Sequence, residues 1–368
     1  MPSKVIKRGK HWYYRIQVPD ENGNMKWTMR AGGRTKREAE KAYYKAAETI
    51  ENEGGIYDAE RITVKQFLET WFTDYVELNL RDATIKSYKS DLKNHIVPAL
   101  GKYRLGKINS RIIQKFINTK SDYSYGTISH MLTVLKAAFS YAISPCGYIL
   151  TNPTAGVRVP KNTKPPRKTC VFSKIDIEKI WQKFPEGHHY YLPIMIAYHT
   201  GLRVGEVLGL HWSDIDLNAD ELTVRGTMTE SGVYQPYPKT KDSCRTIPFG
   251  HKLNLILKKE KKHQAEMKLR FSHVYNSNNY VCCRENGLRI STGDMRYFNE
   301  WTKETFGDGY TFHSLRHTHA TMLLEAGESL ELVSKRLGHS NIVTTSKIYS
   351  HIMRDRKEKT LRLLNSVL

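Results

Sequence analysis

Three short stretches of the C-terminal half carry residues whose types and spacing could do chemistry. The first is His199-Thr200-Gly201-Leu202-Arg203-Val204-Gly205-Glu206-Val207-Leu208-Gly209-Leu210. Its leucines and valines surround Arg203 with apolar neighbours beside a glycine break. A guanidinium taken out of water is costly unless paired, so Arg203 should meet Glu206, a carbonyl or a bound anion. A structural ion pair and an anion site satisfy this equally well. The second stretch is Phe312-His313-Ser314-Leu315-Arg316-His317-Thr318-His319-Ala320. On a helix, His313 and Arg316 share a face, and at a helix start that face can present both to a phosphate. His313, His317 and His319 also raise a metal reading. No carboxylate sits beside them and Arg316 would repel a cation, so no metal or other cofactor is expected. The third stretch is Leu337-Gly338-His339-Ser340, followed by Thr344-Thr345-Ser346-Lys347-Ile348-Tyr349-Ser350-His351. One tyrosine among 22 is more often a packing residue than a nucleophile, so Tyr349 gains meaning only from its company.

Taken together, these stretches resemble the tyrosine recombinase family, of the phage-integrase type. They match T-G-L-R-x-x-E, H-x-x-R and L-G-H, with a tyrosine ten residues after that last histidine. Unrelated chains would not hold all these elements in this order. The resemblance covers nearly the whole chain. It implies a lysine on a β-hairpin between the two arginine motifs. The stretch Pro238-Lys239-Thr240-Lys241-Asp242-Ser243-Cys244-Arg245-Thr246-Ile247-Pro248 matches that hairpin, with Lys239 preferred and Lys241 the alternative.

The resemblance further implies transesterification at a DNA phosphodiester. Tyr349 would attack phosphorus, leaving a 3′-phosphotyrosyl bond and a free 5′-hydroxyl. A phenol of pKa ~10 is a usable nucleophile and later a good leaving group. Arg203 and Arg316 would donate to the non-bridging oxygens, where other phosphoryl-transfer enzymes use metal ions. His313 would assist deprotonation of Tyr349, His339 would add a hydrogen bond to the phosphate, and Lys239 would protonate the leaving oxygen. Glu206 would orient Arg203 from behind. The phosphotyrosine conserves the bond energy, so a second duplex could reverse the step without ATP. A type IB topoisomerase shares this chemistry, but the small N-terminal domain and the C-terminal tail favour recombination. A DNA-binding regulator without catalysis would lack Tyr349 or an arginine, and none is missing.

The elements that must position these groups read as a multidomain fold, mainly α with α+β parts. Residues 1–57 form a small sheet and a helix, implied by the resemblance to be a three-stranded, arm-type DNA-binding domain. Trp12, Tyr14, Ile16 and Val18 alternate onto one face, Asn22-Gly23 supplies a tight turn, and Met25, Trp27 and Met29 return with the same alternation. The exposed strand positions are then Lys10, Arg15, Lys26 and Arg30, a basic surface for a DNA groove or a solvated face. A capping box at Thr35 starts a helix that ends at Gly54-Gly55.

Residues 61–150 read as a four-helix bundle, which the resemblance implies to be a core-binding domain. Its first stripe is Val64, Phe67, Leu68, Trp71, Phe72 and Tyr75, and its second helix stops at Pro98 and Gly101. Residues 151–169 form a basic, proline-rich linker whose Lys161, Lys164, Arg167 and Lys168 suit a path along phosphates. Residues 170–368 form a mixed α/β catalytic domain. A three-strand meander is expected there over 221–228, 233–238 and 244–249. The tail, with Leu361, Leu363, Leu364, Val367 and Leu368, looks like the family's terminal helix that docks on a neighbouring protomer; packing within its own domain is the alternative.

Composition sets the outer bounds. The 368 residues suggest two or three domains, and 39% hydrophobic with 26% charged residues supports folded cores. A net charge of +21 calls for an anionic polymer, nucleic acid first. No apolar run approaches the ~20 residues of a membrane span. Met1–Lys10 lacks a signal-peptide core. Five cysteines without C-x-x-C spacing argue against disulfides or zinc. The expected setting is the bacterial cytosol, nucleoid-associated during recombination. By resemblance, the partners are core and arm attachment sites on double-stranded DNA, gathered by a homotetramer on two duplexes. An excisionase and a DNA-bending host protein would join them, and the element served would be a prophage or an integrative conjugative element.

Overall fold

Alternation in the N-terminal segment gives each strand one face for a helix and one for solvent. The computed structural model describes residues 5–19, 25–53, 59, 61–165, 170–236 and 244–338. Here β1 (Val5–Arg8), β2 (His11–Pro19) and β3 (Met25–Gly33) form an antiparallel sheet in the order β1-β2-β3, followed by α1 (Lys36–Glu53). Val5, Tyr14 and Ile16 are buried with Ala39 and Ala46 of α1. The register corrects one expectation. Tyr14 pairs with Arg30 and Ile16 with Thr28, whereas Gln17 pairs with Trp27 and Arg15 with Met29. Directly paired residues share a face, so Trp27 and Met29 lie with Arg15 on the side away from Tyr14. Trp27 is 58% exposed, with the Arg15 guanidinium 5.5 Å from its ring centre. Arg30, expected on the open face, is half-buried on the other one. A one-residue change of pairing exchanges the faces of a whole strand. Lys10 is exposed, in the turn between β1 and β2. Lys26 pairs with Val18 along the backbone.

The helical bundle begins where expected, with Thr63 capping α2 (Val64–Trp71) through a reciprocal bond with Gln66. The helix then runs through a π-turn, Phe72–Val76, to Asn79. That extra residue rotates the stripe, so Val76 takes the buried position and Tyr75 turns outward, 38% exposed. A second π-turn, Leu92–Ile96, follows α3 (Asp82–Asp91) and lets the helix continue through Pro98 to Leu100. Val97 donates to Leu92 across this wider turn; Pro98 lies within the helix instead of stopping it, and the helix ends at Gly101 as expected. Two further helices, α4 (Ser110–Asn118) and α5 (Tyr125–Ile143), complete a core around Phe67, Trp71, Ile113 and Phe139. The stretch after it, through Lys164, is fastened to the bundle. Val157 is in the same core, Gln114 exchanges hydrogen bonds with the backbone of Arg158, and Lys164 N donates to Ser121 and Tyr123.

Backbone contacts divide the chain into Met1–Pro166 and Arg167–Leu368. In the second unit, α6 (Lys174–Lys183) and the apolar α7 (Tyr191–Thr200) lead into the short α8 (Val204–Leu208). The expected meander is instead two small antiparallel sheets. One is β4 (Ile215–Asp216), β5 (Glu221–Val224) and β8 (Arg245–Pro248), in the order β4-β5-β8; the other pairs β6 (Gly226–Met228) with β7 (Tyr234–Pro236). The break falls at Arg225, whose side chain bonds Asp214 at 3.0 Å, so the chain changes sheets there. The long α9 (His251–Phe271), then α10 (Arg296–Phe306), α11 (Phe312–Glu325) and α12 (Leu330–Leu337), follow in the described part of the unit. No helix of the described residues is long and apolar enough to cross a membrane.

Candidate active site

Two helices end at glycines whose backbone turns carbonyls towards the motif arginines. Gly201 ends α7 with φ +72°, and Gly338 ends α12 with φ +65°. Both angles favour a residue without Cβ. Space demands it as well: a Cβ on Gly201 would sit 2.7 Å from the His319 ring, and one on Gly338 would sit 2.9 Å from Arg245 Cζ. Arg316, in the first turns of α11, uses the carbonyls so presented. Its Nη1 donates to Gly201 O at 2.8 Å and its Nη2 to Leu337 O at 2.6 Å. The side chain is 1% exposed.

Arg203 meets the partners its apolar setting required. Its Nη1 donates to Glu206 Oε1 at 3.1 Å and its Nη2 to Gly338 O at 3.2 Å, while its backbone N–H donates to Glu206 Oε2 at 2.9 Å. Leu202, Val207 and Leu208 are buried around it, yet its head reaches solvent, with 41% of the side chain exposed. The deeply buried guanidinium is therefore Arg316, and Arg203 is the more open of the two.

Glu206 is the centre of the cluster, 1% exposed. Besides Arg203 it receives Arg245 through both oxygens, Nη1 to Oε1 at 3.0 Å and Nη2 to Oε2 at 2.8 Å. Arg316 Nη1 stands 4.0 Å away. Burial by itself would raise the Glu206 carboxyl. The Arg245 hydrogen bonds and charge, then those of Arg203, outweigh it and hold the group down at about 2. Among the described residues, one carboxylate is thus surrounded by three guanidiniums, a surplus of positive charge that suits an anion.

His313 lies on the exposed side of the first turn of α11, its ring 4.7 Å from that of His317. Although it reaches solvent, the protein packed behind it, then the charges of Arg316 and Arg203, push its pKa down to about 4 against the pull of Glu206. At neutral pH it is a neutral imidazole, able to accept a proton. His319 is occupied otherwise: Nδ1–H donates to Tyr198 O at 2.9 Å and Nε2 accepts from Arg336 Nε at 3.0 Å. Burial, then Arg336, lower its pKa to about 3. Among the described residues no three His, Cys, Asp or Glu side chains are placed to hold a metal. Lys239, Lys241, His339, Tyr349, the leucines of the tail, Arg167 and Lys168 lie outside the described residues.

Residues 172–356 match the phage integrase family, and residues 63–121 match the N-terminal SAM-like domain of phage integrases. The chain is 32% identical to the tyrosine recombinase XerC-like protein of Caldanaerobacter subterraneus subsp. tengcongensis, over 99% of this chain and 98% of that protein.

The chain belongs to the phage integrase family.

It is thus a tyrosine recombinase, an enzyme of site-specific recombination. Two solved structures share its fold. The Tn1549 transposon integrase in complex with transposon right end DNA is 21% identical, with a TM-score of 0.64 over 81% of this chain and 99% of that one. The lambda integrase of a tetramer bound to a Holliday junction is 20% identical, with a TM-score of 0.56 over 93% of this chain and 96% of that one.

The recombinase's sequence held a signal for Arg245 that the motifs did not use. Arg245 and Ile247 alternate onto the same face of β8, and Ile247 is buried. An arginine on the buried face of a strand needs a partner for the same reason Arg203 did. Nothing in the spacing said that the partner would be Glu206, which lies on another element.

Proposed function

We propose that this recombinase breaks and rejoins duplex DNA at an attachment site through a 3′-phosphotyrosyl intermediate, and so integrates and excises a mobile genetic element. The observation that supports it best is the cluster of Arg203, Arg316 and Arg245 about the single carboxylate of Glu206, with neutral His313 on the same helix as Arg316. Fixed guanidiniums suit the charge that gathers on a five-coordinate phosphorus, because they need no reorganisation as the reaction proceeds.

In this reading the Tyr349 oxygen attacks phosphorus and its proton passes to His313. The bond from phosphorus to O5′ breaks, and Lys239, or Lys241 in the alternative register, gives O5′ a proton. Arg203 and Arg316 hold the non-bridging oxygens with His339, while Glu206 keeps Arg203 oriented. The 5′-hydroxyl of a second duplex then attacks the phosphotyrosine and Tyr349 leaves. No metal or nucleotide enters the balance. The domains are read as arm-binding over 1–57, core-binding over 61–150, a basic linker over 151–169, and catalytic over 170–368. Lys10, Arg15, Lys26, Lys161, Lys164, Arg167 and Lys168 would lie along DNA. A homotetramer on two duplexes is the working assembly, with an excisionase and a DNA-bending host protein as further partners, in the cytosol of a bacterium.

The test is a nicked duplex carrying the attachment site, incubated in EDTA with wild type and with Tyr349→Phe. An SDS-resistant protein–DNA adduct that is lost in the variant is the expected result. Tight binding with no wild-type adduct would replace this reading with a DNA-binding regulator. An adduct that persists in Tyr349→Phe would move the nucleophile to another tyrosine.

A further inference from the structure

We infer that Arg245 is a positioning residue of the recombination reaction: its two-pronged hold on Glu206 leaves the charge of Arg203 incompletely paired and its head open towards the scissile phosphate. This rests on the function proposed above and adds to it a residue that the family motifs leave unassigned.

Glu206 carries one negative charge and, among the described residues, has two guanidiniums within hydrogen-bond distance, Arg203 and Arg245. Arg245 takes one bond to each oxygen, in the planar geometry where a guanidinium and a carboxylate bind best. Arg203 is left with a single side-chain bond to Oε1 and one to the Gly338 carbonyl, and remains 41% exposed. Arg245 is 13% exposed and faces inward. Its removal would leave more of the Glu206 charge to Arg203, whose Nη1 already reaches Oε1 and whose backbone N–H already reaches Oε2. The Arg203 guanidinium meant for the phosphate would then be drawn inward, its charge more fully compensated by Glu206.

Connectivity supports the same role. Arg245 Nε donates to Arg336 O at 3.0 Å, and its guanidinium packs so closely on Gly338 that a Cβ there would be 2.9 Å from Cζ. Gly338 immediately precedes His339. Arg245 also opens β8, the strand that follows the segment carrying Lys239 and Lys241. One side chain therefore joins the Arg203 turn, the approach to His339 and the strand leaving the lysine segment.

The test uses full-length Arg245→Met and Arg245→Lys, the second retaining charge without the fork in case the first does not fold. Site binding and single-turnover adduct formation are measured on two nicked duplexes. One carries the natural phosphodiester at the scissile position and the other an uncharged methylphosphonate. On the phosphodiester the Met variant should bind normally and cleave ~10²–10³-fold more slowly, the scale for losing one donor to the transition state. Arg245→Lys should fall between it and wild type. On the methylphosphonate, which presents no anionic oxygen pair, the deficit should shrink by at least ~10-fold. An equal deficit on both duplexes, or none on either, overturns the positioning role while leaving the proposed function intact. A wild type that binds but forms no adduct overturns that function, and the role with it.

Discussion

Arg316 and Gly201, 115 positions apart, meet in a 2.8 Å hydrogen bond from the guanidinium to the glycine carbonyl. The bond exists because α7 ends in a left-handed turn at Gly201 and because α11 packs against α7. A helix C-terminus leaves carbonyls without partners, and a buried guanidinium lacks acceptors; each satisfies the other.

That relationship makes Gly201→Ala a severe substitution. The left-handed backbone costs a residue with Cβ about 1–2 kcal/mol, and overlap with His319 and Leu337 adds about 1–3 kcal/mol. Urea titration should show the loss of stability. Adduct formation should fall further than the unfolded fraction explains, because the Arg316 acceptor moves as well. A variant with wild-type stability and cleavage would disprove the account of this turn.

Glu206→Gln should lower stability by about 3–5 kcal/mol, since it leaves buried guanidiniums without their counter-charge. The effect has a pH signature. The folded carboxyl titrates at about 2, below its ordinary 4.5. Its stabilisation, on the order of 3 kcal/mol, is therefore complete above pH 4.5 and is lost as pH falls towards 2. Unfolding measured from pH 6 down to pH 2, taken as about the working range, should show the difference between variant and wild type shrinking as acid is added. A constant difference would remove Glu206 as the titrating group.

His313 should stay neutral well below the usual histidine range, because its pKa is lowered to about 4. The second-order rate of adduct formation reports groups of the free enzyme. It should show no acid limb near the ordinary 6.5, and any limb due to His313 should fall near 4. Histidine NMR resonances give the direct check: a titration of His313 at an ordinary pKa would contradict the packing described here.

The open face of the N-terminal sheet offers a separate test. Arg15→Ala should reduce the salt dependence of DNA binding by about one unit of slope, as expected for one phosphate contact. Trp27→Ala should weaken binding while leaving that slope nearly unchanged. Thermal stability should hardly move, since Trp27 is largely exposed and its contact with Arg15 is worth about 0.5–1 kcal/mol. Arg30→Ala should affect folding more than binding.

Much of the site was legible because its logic is local. Arg203 and Glu206 are three residues apart and meet across one turn, and His313 and Arg316 lie the same distance apart on one helix. The two glycines could be read as breaks. Arg245 was hidden for the opposite reason: its partner is 39 residues away, on an element whose approach no spacing records. The faces of β3 were misread because alternation gives a period but not which phase is inward. The π-turns at Phe72 and Leu92 escaped too, since one extra residue leaves the apolar count of a helix almost unchanged.

By itself the sequence determined the family, the order of the motif residues, and the mainly helical architecture with a mixed C-terminal unit. Side-chain period and motif spacing are properties of neighbouring residues and survive without a fold. Only the tertiary structure decided that Arg316 is the buried guanidinium and Arg203 the open one, that Glu206 is shared with Arg245, and that Trp27 faces outward. Burial and charge sharing depend on which distant surfaces meet. A carboxylate held near pH 2 and a histidine held neutral are products of that meeting, because the field at each group is the sum over residues brought together from across the C-terminal unit.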